Sequence, residues 1–175
     1  MNQGKNKTLE KKAVFFDRDG VLNKDFGYVH KIDDFEWING AVKSIKLLKD
    51  LGFLIIVVTN QSGVFRGFYT ENEVKKLHKF MNNELKNKHG VKIDDFFFST
   101  DDPKITKFNQ TRRKPSPGMI IEATQKYNIN KSLSFLIGDK ESDIIAAKNA
   151  GITGFLFEGG NLFDRIQEIL KELDI

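Results

Sequence analysis

The chain has 175 residues, with 28 Lys+Arg against 24 Asp+Glu, and no cysteine. This length is typical of one domain, and the lack of cysteine excludes disulfides, thiolate metal sites and a cysteine nucleophile. Residues 1–12 contain four lysines and one glutamate, which is +3 of the net charge of +4. We therefore expect a flexible polar tail over residues 1–12 and a nearly neutral domain over residues 13–175, which argues against a nucleic-acid partner.

The same chain carries no signal for a membrane. Its longest uninterrupted apolar run, residues 53–58, is far shorter than the ~20 residues that a membrane helix needs. The N-terminal residues lack the apolar segment of a secretory signal. We expect a cytoplasmic monomer, and the absence of cysteine is compatible with a reducing compartment.

Short apolar runs alternate with amphipathic stretches along the chain. In chain order, the pattern predicts a strand at 13–16, a helix at 41–51, a strand at 53–58, a helix at 70–88, a strand at 93–98, a helix at 117–127, a strand at 133–137, a helix at 142–150, a strand at 153–157 and a helix at 161–173. Thr70 and Glu73 are predicted to form a capping box at the start of the second helix. His78 lies on this helix and His89 on it or just after it, and we expect both to face solvent. This alternation is typical of an α/β fold with a doubly wound parallel sheet.

Polar residues follow the predicted strands, where open parallel sheets bind their ligands. They are Asp17 and Asp19 after the first strand, Thr59 after the second, and Asp139 and Asp143 after the fourth, with Lys114 before the fourth. Singly, these residues are ordinary, because Asp-x-Asp-Gly can be a turn and a lysine usually lies on the surface. Together they favour phosphoryl transfer, since carboxylates can bind Mg²⁺ or attack phosphorus and a lysine neutralises phosphoryl oxygens.

This ordered set resembles the haloacid dehalogenase (HAD) superfamily of phosphotransferases. The matching residues are Asp17-x-Asp19-Gly20, Thr59, Lys114 and Gly138-Asp139-x-x-x-Asp143. The resemblance covers nearly the whole chain after residue 12. It implies a HAD-like Rossmannoid fold in a single domain without a large cap, Mg²⁺ as cofactor, and an aspartyl-phosphate intermediate.

The resemblance also implies residue roles. Asp17 would be the nucleophile and Asp19 the general acid and then base, while Thr59 and Lys114 would bind the phosphoryl group. The implied metal-site residues are Asp17, Asp19 through its carbonyl, Asp139, and Asp143, which would support the metal or the lysine.

Further blocks are similar to the heptose 1,7-bisphosphate 7-phosphatase family within this superfamily. They are residues 15–20, 27–30, 58–63, 66–67, 113–119 and 138–140. The resemblance implies removal of the C7 phosphate of D-glycero-D-manno-heptose 1,7-bisphosphate during the synthesis of nucleotide-activated heptose for bacterial surface glycans such as lipopolysaccharide. The expected substrate-binding residues are Arg18, Tyr28, Asn60, Gln61, Ser62, Arg66, Arg113 and Lys140. Arginine suits the second phosphate because its planar guanidinium can bind two oxygens at once.

One departure from that family concerns the long connection at residues 99–115. The family usually holds a structural zinc there, through Cys and His at positions that correspond to Ser99, Asp101, Gln110 and Arg112. None of these is a thiolate or imidazole ligand, so we expect no structural zinc. One hypothesis is that an Asp101–Arg112 ion pair orders the loop instead.

Three other functions are compatible with parts of the pattern. Histidinol-phosphate phosphatases share many of the same blocks, although residues 27–30 look more like the heptose family. A polynucleotide 3′-phosphatase would use the same Asp-x-Asp-Gly chemistry but needs a positive groove, which the nearly neutral domain does not predict. A phosphosugar-binding module without activity would be expected to have lost its nucleophile, whereas Asp17 is present.

Overall fold

The computed structural model describes residues 10–105 and 107–175. Most of the predicted tail, residues 1–9, lies outside the described residues. Lys11, which the sequence places in that tail, pairs with the chain near Ile129: its backbone N–H donates to the carbonyl of Asn128 at 3.1 Å and its own carbonyl accepts from Asn130 at 2.7 Å. The folded part therefore includes residues just before the predicted boundary at 13.

The described residues form five strands and six α-helices. The strands are β1 (Ala13–Phe16), β2 (Leu54–Asn60), β3 (Asp95–Ser99), β4 (Phe135–Gly138) and β5 (Thr153–Leu156). The helices are α1 (Ala41–Asp50), α2 (Ser62–Phe65), α3 (Glu71–His89), α4 (Gly118–Tyr127), α5 (Glu141–Ala150) and α6 (Leu162–Glu172). Short 3₁₀ helices occur at Ile32–Asp34, Phe108–Gln110 and Lys131–Leu133.

All strand pairs are parallel, and their order in the sheet is β3-β2-β1-β4-β5. The central strand is β1, where Phe15 lies opposite Ile56 on one side and Leu136 on the other. The strand order reverses between β1 and β4, and such a switch point opens a crevice at the carboxyl ends of the strands. The predicted doubly wound α/β fold is confirmed.

Alternation along the central strands divides the apolar core into two layers. Val14 and Phe16 pack into one layer with α1, α3 and α6, whereas Ala13 and Phe15 pack into the other with α4 and α5. Successive side chains of a strand point to opposite faces, so a run with no polar residue is buried on both. The last buried position of β1 is followed at once by Asp17.

The site end of the sheet has no inserted domain. The long connections, residues 17–40 after β1 and 100–117 after β3, lie between the elements of a single domain without a large cap, as predicted. In the described part of the chain, no helix is both long and apolar enough to cross a bilayer.

Candidate active site

Three carboxylates converge at the carboxyl ends of β1 and β4. Asp17, Asp139 and Asp143 each offer an oxygen, and these oxygens all lie within 4.8 Å of one another. Gly138 makes the close approach of Asp143 possible, because a Cβ on this glycine would lie 2.2 Å from the Asp143 Cβ. The switch point of the sheet therefore holds a compact acidic trio.

Lys114 supplies the positive charge of this centre. Its ammonium Nζ lies 2.9 Å from Asp17 Oδ1 and 2.6 Å from Asp143 Oδ1, and it donates to the Val58 carbonyl at 2.7 Å. The lysine is only 3% exposed. Its backbone is held by the Asn60 side chain, which accepts from the Lys114 N–H at 2.9 Å and donates to its carbonyl at 3.1 Å.

The surroundings shift the pKa values of Asp17 and Asp139 in opposite directions. Burial would raise the pKa of Asp17, but the Lys114 ammonium and the backbone N–H of Arg18 overcome it and hold this pKa below its ordinary value. Burial and the neighbouring charge of Asp17 raise the pKa of Asp139 to about 6. Asp17 is thus an ionised carboxylate suited to nucleophilic attack, whereas the more exposed Lys140 ammonium, 3.3 Å from Asp139, does not offset the rise in the Asp139 pKa.

The trio fits a hard divalent cation. Asp139 Oδ1 is buried and has no hydrogen-bond partner among the described residues, and Mg²⁺ prefers oxygen ligands. The carboxylate of Asp19, the fourth expected metal residue, is not part of the trio. Its expected contribution was through the main-chain carbonyl.

Hydrogen bonds fix the Asp19 carboxylate from three sides. It accepts from Arg18 Nη2 at 2.9 Å, from Asn23 Nδ2 at 2.9 Å and from Gln61 Nε2 at 3.0 Å. Arg18 is completely buried and also donates to the Val29 carbonyl. Because the donors hold both oxygens, the side chain keeps one orientation while it still lines the cavity described below.

Behind Arg18 lies His78, and the expectation that it faces solvent was wrong. His78 is 5% exposed, its ring stacks on Phe96 at a centroid distance of 4.2 Å, and its Nε2 lies 3.3 Å from Arg18 Nη1. Burial and the Arg18 charge hold the pKa of His78 well below its usual value. The neutral ring therefore accepts a hydrogen bond from the guanidinium. The spacing of Val74, His78 and Leu85 on α3 was the available signal, since all three lie on its buried face.

A cavity of about 460 Å³ opens above Asp17, Asp19, Thr59 and Lys114. Five of the expected substrate-binding residues line it: Tyr28, Asn60, Ser62, Arg113 and Lys140. The structure does not bring Arg18 and Gln61 to this surface. Both are buried, and Gln61 donates to Asp19 and to Thr59 Oγ1 while its carbonyl accepts from the Tyr69 hydroxyl at 2.8 Å.

An unpaired arginine lies on the same cavity wall. Arg113 Nη1 is buried without a hydrogen-bond partner among the described residues, and burial together with the charge of Arg66 lowers the pKa of Arg113. Arg66 itself is exposed and does not line the cavity. Two neighbouring cations, one of them unsatisfied, provide a site for an anion.

Two contributors to this arrangement are absent from the expected set, Asn23 and Tyr69. Tyr69 donates to Gln61, eight residues before it, and Asn23 donates to Asp19, four residues before it in the turn after β1. No local pattern marks them. Lys140, by contrast, was expected, and it lies 3.3 Å from Asp139 and 3.6 Å from Asp25.

The 99–115 loop is ordered differently from the hypothesis, and the Asp101–Arg112 ion pair was wrong. The Arg112 guanidinium pairs with Glu122 at 2.6 Å, because α4 brings that carboxylate within its reach. Asp101 Oδ2 instead accepts from the Thr111 hydroxyl at 2.6 Å and from the Arg112 backbone N–H at 2.7 Å. The four positions that would hold zinc carry a hydroxyl, a carboxylate, an amide and a guanidinium (Ser99, Asp101, Gln110 and Arg112). This set does not fit a structural zinc.

Similarity to other proteins identifies the family. A family model described as HAD-hydrolase-like matches residues 111–168. The D-glycero-beta-D-manno-heptose-1,7-bisphosphate 7-phosphatase of Haemophilus ducreyi is 43% identical, over 82% of this chain and 81% of that protein. This chain belongs to the heptose-1,7-bisphosphate 7-phosphatase family. A second member of the family, the D-glycero-alpha-D-manno-heptose-1,7-bisphosphate 7-phosphatase of Photorhabdus laumondii, is 45% identical, over 81% of this chain and 79% of that protein.

The fold of the family is represented by a crystal structure from B. bronchiseptica. That D,D-heptose 1,7-bisphosphate phosphatase, complexed with magnesium and phosphate, superposes with a TM-score of 0.81 at 26% identity. The match covers 92% of this chain and 99% of that chain. The magnesium in that member of the family is consistent with the three carboxylates of this chain, which offer oxygen ligands.

Proposed function

We propose that this chain is a Mg²⁺-dependent phosphatase that removes the C7 phosphate of D-glycero-D-manno-heptose 1,7-bisphosphate. The observation that supports this substrate is that one cavity is lined both by the Asp17–Lys114 centre and by Arg113, whose buried Nη1 has no partner among the described residues. A bisphosphate needs both: a reacting site for one phosphate and a separate cationic site for the other.

In the proposed reaction, Asp17 attacks phosphorus and the bond from phosphorus to the C7 oxygen breaks. Asp19 donates the proton that the departing sugar oxygen takes up. Asp19 then removes a proton from water, which attacks the aspartyl phosphate and releases inorganic phosphate and free Asp17. Bound Mg²⁺ would neutralise phosphoryl oxygens, so that an anionic carboxylate can approach an anionic phosphate.

The remaining residues position the two phosphates. Thr59 and the Lys114 ammonium contact the transferring group, as expected for electrostatic stabilisation of phosphoryl transfer. Arg113, with Arg66 beside it, binds the C1 phosphate. A cytoplasmic monomer is part of the same proposal.

A substrate panel tests this function. We expect phosphate release from heptose 1,7-bisphosphate to exceed that from histidinol phosphate and from a 3′-phosphorylated oligonucleotide. Both anomers belong in the panel, because the relatives named above include one of each. A higher kcat/KM for histidinol phosphate would overturn the heptose assignment, and release from the oligonucleotide alone would indicate a polynucleotide phosphatase.

Replacing the nucleophile tests the covalent step. Asp17→Asn keeps the size of the side chain but removes its charge, so turnover should fall to background while the heptose bisphosphate still binds. Binding by calorimetry and phosphate release on the same sample provide the two measurements. Turnover within tenfold of the wild type would refute attack by Asp17.

A further inference from the structure

We propose that Asp101 closes the 99–115 loop without a metal and is a positioning residue for Arg113, and hence for recognition of the second phosphate. The proposal rests on the function above and deepens it. It concerns a contact of Asp101, one of the four positions where the family resemblance implies zinc ligands and this sequence has none.

The first step is the closure itself. Asp101 follows the end of β3, and its Oδ2 accepts from Thr111 Oγ1 at 2.6 Å and from the Arg112 N–H at 2.7 Å. Its own backbone N–H donates to Ser99 Oγ at 3.2 Å. One carboxylate thus joins two segments ten residues apart, through short charge-assisted bonds, which are stronger than neutral ones.

The second step is the link from Asp101 to the substrate cavity. Thr111 Oγ1 donates to Asp101 and also accepts from the backbone N–H of Arg113 at 2.9 Å. The main chain of Arg113 is therefore fixed through Thr111 to Asp101. Its side chain lines the cavity, and its Nη1 has no hydrogen-bond partner in the part of the chain that the structure describes.

The third step separates the two halves of the site. Lys114 has its own anchors, the Asn60 amide on its backbone and the carboxylates around its ammonium. Loss of Asp101 would release Arg113 while Lys114 stays in place. Asp101 therefore affects recognition of the second phosphate more than chemistry at the first.

Asp101→Ala is compared with a matched control, Asp102→Ala. Both remove one negative charge, but among the described residues the Asp102 side chain accepts only from the N–H of Lys104, at 2.9 Å. We expect Asp101→Ala to lower kcat/KM for heptose 1,7-bisphosphate about tenfold or more, the scale of a lost hydrogen bond to a charged group, and to lower it far less for heptose 7-phosphate. Asp102→Ala should change neither value by more than about twofold, as expected for a partly exposed residue that does not line the substrate cavity.

A double-mutant cycle with Arg113→Ala tests the route of the effect. If Asp101 acts through Arg113, adding Asp101→Ala to the Arg113→Ala protein causes no further loss with the bisphosphate. Asp101→Asn, which keeps an acceptor oxygen, should recover part of the loss. Equal losses with both substrates, or additive losses in the cycle, would overturn the proposal.

Two measurements that do not depend on turnover test the closure of the 99–115 loop separately from the proposed function. In Asp101→Ala, trypsin should cut at Lys104 and Lys107 faster than in wild type or Asp102→Ala. Elemental analysis of the purified wild type should give well under one zinc per chain. Stoichiometric zinc, or unchanged cleavage in a folded Asp101→Ala protein, would reject the metal-free closure, whereas a wild type inactive on every phosphate would reject the function alone.

Discussion

At the scale of single residues, a series of buried hydrogen bonds lies behind Asp19, the proposed acid–base carboxylate. His78 accepts from Arg18, Arg18 donates to Asp19, and Gln61 holds the other side of Asp19. A buried donor left without its acceptor costs about 1–3 kcal/mol. His78 does not line the substrate cavity, yet through Arg18 it stabilises the orientation of Asp19, the proposed proton donor.

His78→Phe and His78→Gln separate this role from packing. Phenylalanine keeps a ring against Phe96 but removes the acceptor, whereas glutamine restores an acceptor oxygen. For His78→Phe we expect kcat/KM with the sugar bisphosphate to fall about tenfold, as for the loss of one hydrogen bond to a charged group. With p-nitrophenyl phosphate, whose leaving group departs without a proton, the loss should be much smaller.

The leaving-group comparison distinguishes positioning from damage. kcat/KM reports the first phosphoryl transfer, in which Asp19 acts as an acid. Glutamine should recover most of the activity that phenylalanine loses. Equal losses on both substrates would mean that His78 only supports packing.

At the scale of elements, the sequence predicts the bounds of a strand or helix best where a residue at its end stops it. β1 has the predicted bounds, 13–16, because its apolar run stops at a charged residue. α5 ends at Ala150, before Gly151 with φ +78°, as predicted. The short helix α2, Ser62–Phe65, was not predicted, since four residues cannot show a helical period.

The site shows the same division between local and long-range information. The strand-end acids and Lys114 could be grouped from their order, because a parallel sheet brings its carboxyl ends to one edge. The partner of Arg112 could not, since a long side chain reaches several acids and only the fold selects Glu122. Asn23 and Tyr69 were missed for a different reason: their partners Asp19 and Gln61 are near in sequence, but no motif marks the loop conformation that brings each pair together.

Helix α3 carries His78, and its start depends on a capping box. Thr70 Oγ1 accepts from the Glu73 N–H at 3.3 Å, and Glu73 accepts from the Thr70 N–H at 2.8 Å. Thr70→Ala should lower the free energy of unfolding by about 1 kcal/mol, within the ~0.5–2 kcal/mol range for such caps. Chemical denaturation measures this.

The control for the capping box is Lys75→Ala, which removes an exposed i,i+4 pair with Glu71. Such a pair contributes only about 0.3–0.5 kcal/mol. A Thr70→Ala loss no larger than that of Lys75→Ala would contradict a stabilising cap.

At the scale of the whole molecule, the fold brings three carboxylates and one ammonium to its switch point. Lys114 compensates Asp17 and Asp143, with Nζ within 3 Å of both. Within residues 10–105 and 107–175, the one cation paired with Asp139 is that of the half-exposed Lys140, at 3.3 Å. The arrangement therefore carries uncompensated negative charge, which destabilises the metal-free fold and favours a divalent cation.

The raised pKa of Asp139, about 6, gives this imbalance a defined pH dependence. Between the ordinary value of 3.8 and about 6, the folded state keeps a proton that the unfolded chain has lost. The contribution of Asp139 to stability therefore falls as pH rises through this window, and the full cost is present at pH 7.5. Bound Mg²⁺ would offset that cost, but at pH 5 it would first have to displace the proton.

Thermal melting with and without Mg²⁺ tests this balance. At ten times its Kd, Mg²⁺ stabilises the fold by about 1.4 kcal/mol, which raises the Tm of a chain of this length by about 3–6 °C. We expect such a rise at pH 7.5 and a smaller one at pH 5. Asp139→Asn should melt higher than the wild type without Mg²⁺ at pH 7.5, because it removes the buried charge, and should no longer respond to the metal.

Asp25→Asn is the matched control, because Asp25 also contacts Lys140, at 3.6 Å, but lies outside the acidic trio. It should keep the full response to Mg²⁺. If Asp139→Asn instead melts lower without metal, Asp139 stabilises the empty site and the electrostatic argument fails. If it keeps the Mg²⁺-induced rise, the cation binds without Asp139, and the acidic trio is not the metal site.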